Sequence, residues 1–307
     1  MTRPADLLIT ALAPAVWGST YLVTTEFLPE GYPITLAVLR ALPAGLLLLA
    51  ITRRFPPRAW IGRVFLLGVL NFAAFWTLLF VAAQRLPGGV AATVISLQAL
   101  LAIGMAWGWL GTPVRPVSVV AALAGVGGVG LLLLGPGAAL DPLGLAAALG
   151  AAAAMAAGTV LSRKWRPPVS ALSFTAWQLT AGGLALLPLA FFAEPKPPAL
   201  DMVHLGGLLW LGLVGAAATY WIWFRGVERI EPAAVSMLGM MSPVTAVALG
   251  WIWLGQSMTP IQGVGAAVAL GAVWVSQAAY QTPRRLASSE PPPPRSCRLT
   301  PRRWGVS

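Results

Sequence analysis

The chain has 307 residues, of which 58% are hydrophobic and 9% charged, and its mean hydropathy is +0.78. A soluble domain carries roughly a quarter charged residues to cover its surface, so this surface is written for lipid and a soluble enzyme or binding module is excluded. The net charge of +11 would suggest nucleic acid in a soluble protein; in a membrane chain the same Lys and Arg belong to loops and tails, where they set orientation, and no nucleic-acid partner is expected.

A helix needs about 20 apolar residues to cross the hydrocarbon core, and cutting at charged, Pro-rich and Gly-rich punctuation gives ten such segments. The first, near 7–25, follows Arg3 and contains A-L-A at 11–13, which imitates a signal peptide; the run is long enough to span and is read as a transmembrane helix. It carries Trp17, Ser19, Thr20 and Tyr21. The second, 33–52, holds Arg40, the one charge inside a span, roughly 10 Å from its start at 1.5 Å per residue. The third, 60–82, brings Asn71 and Trp76, and the fourth, 89–110, brings Gln98 and ends in W-G-W-L-G. The fifth and sixth, 116–135 and 142–162, are thick with Ala, Gly and Leu, a composition for close helix contact in lipid. Trp177 and Gln178 fall in the seventh, 171–193, and Tyr220 and Trp221 in the eighth, 203–224. The ninth, 232–254, contains Ser242-Pro243, a site for a kink, and ends in W-I-W-L-G; the tenth is 260–280. Residues 283–307 are basic and Pro-rich, a disordered cytoplasmic tail.

With the N-terminus inside, seventeen of the twenty Lys and Arg fall on the cytoplasmic side, Arg85 and Lys196 outside, and Arg40 within the membrane. Both termini are therefore expected in the cytoplasm. The wealth of Ala, Gly, Arg and Pro points to a high-GC bacterium and its inner (plasma) membrane.

The two five-residue words lie 144 residues apart. At that offset positions 80–129 give twelve identities in fifty pairs, among them Phe80 with Phe224, Arg85 with Arg229 and Gly111 with Gly255, where composition alone gives about four or five. The unit is five helices, an odd number, so the second copy enters the membrane from the opposite side. The fold class is thus all-α integral membrane, with ten transmembrane helices as two inverted five-helix repeats, 1–138 and 139–282. Inverted repeats belong to secondary transporters, in which related halves exchange roles to give alternating access.

A-V-W-G-S-T-Y-L in the first half, A-A-Q-R-L-P-G-G-V-A-A-T-V-I-S-L-Q-A-L after the third helix, and G-V-E-R-I-E-P-A-A-V-S-M-L-G-M-M-S-P-V in the second half resemble the EamA-type drug/metabolite transporters over roughly residues 5–280. The resemblance implies a central cavity between the halves. One departure is that Thr112 and Gln256 follow the L-G of the repeated word, where the family often has Glu.

No Asp or Glu lies in the middle of a span, which leaves proton coupling without a buried carboxylate, and His204 at the entrance of the eighth segment is a poor substitute. Arg40 can bind a carboxylate or phosphate through its planar fork, or it can snorkel to the outer interface or bond backbone carbonyls. Trp17, Ser19, Tyr21, Asn71, Trp76, Gln98, Trp177, Gln178 and Tyr220 complete the candidate substrate-binding set, each with an interhelical structural alternative, and Pro243 is the candidate gating kink. Trp60, Trp107, Trp109, Trp251 and Trp253 are interface anchors. With one Cys (Cys297) and one His, no metal site and no cofactor are expected. The expected function is gradient-driven transport, as an exporter, of small metabolites such as amino acids, by a monomer or homodimer in the bilayer. The alternatives are a non-transport scaffold and a lipid-acting enzyme; the latter lacks a nucleophile, base or carboxylate pair in the spans.

Overall fold

The computed structural model describes residues 4–86, 88–133, 141–255 and 259–281. Arg3, the junction at 138–139 and the tail from 283 lie outside them. Ten helices in the described residues are long and apolar enough to cross a membrane: α1 (Pro4–Phe27), α2 (Pro33–Thr52), α3 (Arg58–Ala82), α4 (Val90–Leu110), α5 (Pro116–Leu133), α6 (Pro142–Lys164), α7 (Ala171–Ala193), α8 (Met202–Arg229), α9 (Pro232–Trp253) and α10 (Pro260–Tyr280). Six of them begin on a proline, which lacks the N–H that a first turn would leave unpaired. α8 runs five residues past its expected end, because its last charges find partners: Arg225 and Arg229 pair with Asp6, and Glu228 with Arg166.

The two halves share one packing plan. α1 lies against α8 and α9, and its counterpart α6 lies against α3 and α4; α2 packs along α7, and α5 along α10. The irregularities recur as well. α3 carries a π-helical segment at Val69–Ala74 and α8 one at Trp210–Ala218, which the 144-residue offset overlays. α4 is broken at Leu97 and α9 at Gly239–Met240. The repeated word ends each time on a glycine of positive φ, 68° at Gly111 and 62° at Gly255, the left-handed stop that a side chain disfavours.

Helix contacts are backbone-close. A Cβ on Gly128 would lie 2.7 Å from the Ala269 nitrogen, and one on Gly265 2.5 Å from that of Leu132. Without a hydrophobic drive between helices in lipid, such van der Waals contact is the main cohesive term. Loop carboxylates fix the ends. Glu194, just past α7, accepts from the N–H groups of Ile34 (2.6 Å) and Thr35 (2.7 Å) at the start of α2, neutralising a helix N-terminus. Asp201 and His204 form a reciprocal cap on α8, with the His204 N–H 2.8 Å from the Asp201 carboxylate. That bond holds the Asp201 carboxyl below its ordinary pKa, and it gives His204 a structural task.

Candidate functional site

Arg40 lies at the contact of α2 with α8, only 8% exposed. The reason is local. Where the π segment of α8 closes, the Thr219 N–H reaches the carbonyls of Val214 and Ala216. The Gly215 carbonyl between them accepts instead from Arg40 Nη2 at 2.7 Å. The guanidinium also sits 5.1 Å from the centroid of the Trp76 ring, a favourable place for a cation. Its Nε has no partner, and none of the ion pairs among the described residues includes Arg40. The side chain bonds a backbone carbonyl and does not snorkel.

Trp76 is one edge of a cluster of aromatic rings drawn from three helices. Tyr220 lies 4.7 Å from Trp17 and 4.7 Å from Phe72, and 6.4 Å from Trp76. Trp17 donates through Nε1 to the Thr219 hydroxyl at 2.9 Å and packs 5.2 Å from Trp223. Trp76 and Tyr220 are repeat partners at the 144-residue offset, so the rings meet where the two halves meet.

A second polar cluster is buried between α3, α6 and α7. Asn71 Nδ2 donates to Gln178 Oε1 at 2.8 Å, and the Ser162 hydroxyl lies 3.3 Å from the same oxygen. Gly158 makes room for it, since a Cβ there would collide with Asn71 Oδ1. Asn71 Oδ1 and Gln178 Nε2 are buried without partners.

The structure therefore brings Trp17, Arg40, Trp76 and Tyr220 together and places Asn71 with Gln178 nearby. The other candidates lie elsewhere. Ser19 bonds Val16 and receives the Trp210 indole at 3.0 Å on the exposed side of α1. Tyr21 is within α1, and its side chain lies outside the described set. Gln98 stands at the break in α4 against Gly239 at the break in α9. Pro243 falls just after that break, in the first turn of the resumed helix, where its missing N–H costs little. Trp221 is 41% exposed and faces outward with Trp107, Trp109, Trp251 and Trp253. Phe72, Thr219 and Trp223 were not expected. The sequence signal for Phe72 was its i,i+4 spacing to Trp76, which puts both on one helix face.

Trp177 packs with Val64, Leu67 and Phe174, and its Nε1 donates to the Arg54 carbonyl at 2.6 Å. Trp177→Phe should thus remove this hydrogen bond to an exposed loop, at a cost of about 0.5–1.5 kcal/mol. The expected outcome is a lower melting midpoint in detergent with transport per folded molecule unchanged; a specific loss of transport would contradict this placement.

Both faces of the bundle carry a matching ion pair. On the face where α1 begins, Asp6 pairs with Arg229 at 2.9 Å and with Arg225 at 3.2 Å. On the opposite face Asp141, at the start of α6, approaches Arg85, three residues past the span of α3, at 4.0 Å. Arg85 and Arg229 are repeat partners, so these contacts are one device used twice. The Asp6 pair is tight, with the carboxylate side chain 12% exposed, while Arg85 and Asp141 are 46% and 38% exposed.

The profile of the EamA-like transporter family matches this chain twice, over residues 4–134 and 142–277. Protein PecM of Dickeya dadantii (strain 3937) is 45% identical over 255 residues, covering 82% of this chain and 86% of its own. The uncharacterized inner membrane transporter YedA of Escherichia coli (strain K12) is 28% identical over 255 residues, covering 80% and 82%. A solved crystal structure, 22% identical, superimposes with a TM-score of 0.76 over 92% of this chain and 100% of its own, a likeness of fold.

Proposed function

The chain belongs to the EamA-like transporter family, whose members move small solutes across membranes, and from that premise we propose that it is a gradient-driven exporter of small amphipathic metabolites such as amino acids. The observation that carries the reading is Arg40: a buried guanidinium with a free Nε, no acidic partner among the described residues, and the Trp76 ring of an aromatic cluster against it. A cation kept in a membrane interior without a counter-charge is costly unless it has a task, and the task that fits is to receive the anionic group of a solute whose apolar body packs on Trp17, Trp76 and Tyr220. Asn71 and Gln178 are further contacts along the same path.

Transport proceeds by alternating access, the inverted halves rocking about the aromatic centre. The breaks in α4 and α9 beside Gln98 and Pro243 are the hinges. The protein sits in a bacterial inner membrane with both termini cytoplasmic, which puts the Asp6 pair on the cytoplasmic face and the Arg85 pair outside. It is a carrier and not an enzyme, and it works as a monomer or homodimer.

The test is efflux from proteoliposomes loaded with a mixed amino-acid and metabolite pool, read by mass spectrometry with and without a proton gradient. Selective loss of one solute class is expected. Retention of every solute at the level of protein-free vesicles would count against transport of these classes.

A further inference from the structure

α2 and α7 are counterparts, and their contact is symmetric. Gly45 approaches Thr180, and Gly183 approaches Leu42, each so closely that a Cβ would collide with backbone. A shift of 138 residues overlays A-G-L-L-L-L (44–49) on G-G-L-A-L-L (182–187) and exchanges these two contacts. The same shift lays Arg40 on Gln178. The groups they touch correspond too: Arg40 bonds Gly215 in the π segment of α8, Gln178 bonds Asn71 in that of α3, and Asn71 overlays Gly215 at the 144-residue offset. The two buried polar clusters are one site occurring twice, with different chemistry in each copy. In the antiparallel register set by the glycine contacts, Gln178 stands level with Leu47, so the sites are separated along the membrane normal by roughly 10 Å.

Their free groups differ. Arg40 offers a cationic donor. The amide site offers one donor, Gln178 Nε2, and one acceptor, Asn71 Oδ1, both buried without partners. Exchanging oxygen and nitrogen in both amides reverses their mutual bond but still leaves one free donor and one free acceptor. A carboxylate alone satisfies Arg40 only. A group that presents an ammonium beside a carboxylate satisfies both sites, its ammonium donating to the free amide oxygen and its carboxylate accepting from the free amide nitrogen.

We propose that Asn71 and Gln178 form a second, neutral solute station, the repeat counterpart of Arg40, and that the two stations receive the amino-carboxylate end of a zwitterion in turn from opposite faces. This rests on the transport reading above and adds to it a sided division of labour. Gln178 serves solute arriving from the face where α7 begins, and Arg40 solute arriving from the face where α2 begins.

The experiment is sided kinetics in proteoliposomes sorted by orientation, with L-phenylalanine as the probe and phenethylamine as its carboxylate-free control. Gln178→Met should raise KM about tenfold from the α7-start face and leave it within about twofold from the other, and Arg40→Met should raise it about 100-fold from the α2-start face and leave it within about twofold from the other. Phenethylamine should be carried poorly by the unmodified protein from both faces. Equal changes of KM from both faces, or a change in melting midpoint alone, would mean that the cluster is a packing element with a bridging water, and would overturn the proposal. Failure of the wild type to carry L-phenylalanine while it empties another solute from the mixed pool would overturn the zwitterion station and leave the transport reading standing; failure to move any solute would remove both.

Discussion

Arg40→Met is expected to cut kcat/KM for a carboxylate-bearing solute arriving from the face where α2 begins about 100-fold while moving the melting midpoint by no more than a few degrees. The stability terms oppose one another. Burying a guanidinium near the middle of a membrane helix costs roughly 2.5–3.5 kcal/mol, and Met removes that cost with a flexible apolar side chain of similar reach. Against it stand the Gly215 carbonyl, left unpaired at about 1–3 kcal/mol, and the lost contact with Trp76, about 0.5–2 kcal/mol. These nearly cancel. The functional term has no such offset, because a desolvated charge pair with the solute is worth about 2–5 kcal/mol when one partner is truncated. If Arg40 were only a clamp between α2 and α8, the order would invert: the midpoint would drop by far more than a few degrees and the surviving folded protein would transport normally. Thermal unfolding in detergent and transport per folded molecule, measured on the same preparation, separate the two cases.

The architecture was legible because membrane physics leaves few options. Each span is an apolar run bounded by proline, glycine or charge, and the lone intramembrane charge singled out Arg40. Its partner was not legible. The Gly215 carbonyl is backbone, and the π segment that frees it has no side-chain signature. Nor could sequence say which rings turn inward. On a soluble helix polar residues mark the outer face, but here the lipid face is as apolar as the core, so the helical periodicity that would sort Trp223 from Trp221 carries no contrast. Trp223 packs on Trp17 while Trp221 faces out, two positions apart on one helix. Trp177 shows the same limit. It looked like a mid-span ring and is a donor to the loop carbonyl of Arg54. The repeat gave no help here either: it is clear in sequence only over positions 80–129 and their partners, and the pair Trp76 and Tyr220, which meets in space, falls just before it.

The unequal ion pairs yield the second large effect. In this conformation the Asp6 face is latched and the Arg85 face is slack. The alternating access proposed above would require the reverse arrangement at the other end of the cycle, with Arg85 drawn onto Asp141 and Asp6 released. Asp6→Asn should therefore shift the balance toward opening on the Asp6 face. A fully buried pair would be worth several kcal/mol, but Arg229 is 47% exposed, and solvent screening reduces the estimate to ~1–2 kcal/mol, or about a 5- to 30-fold change in the ratio of the two states. Ala13 is a suitable reporter, fully buried in α1 and roughly 10 Å along the helix from Asp6. With Cys297 replaced by Ser, a cysteine at position 13 should react with an impermeant maleimide several-fold faster in the Asp6→Asn background, and only from the Asp6 face. Arg85→Gln should not accelerate labelling there, because that pair is already open in this state. Reversal of the pair, Asp6→Arg with Arg229→Asp, should restore slow labelling in part, since the attraction between positions 6 and 229 survives while Arg225 exchanges its pair with position 6 for an i,i+4 partner in the new Asp. Labelling unchanged by Asp6→Asn would make the contact a surface ion pair of no consequence, and acceleration by Arg85→Gln to the same degree would show that the two faces do not open in alternation.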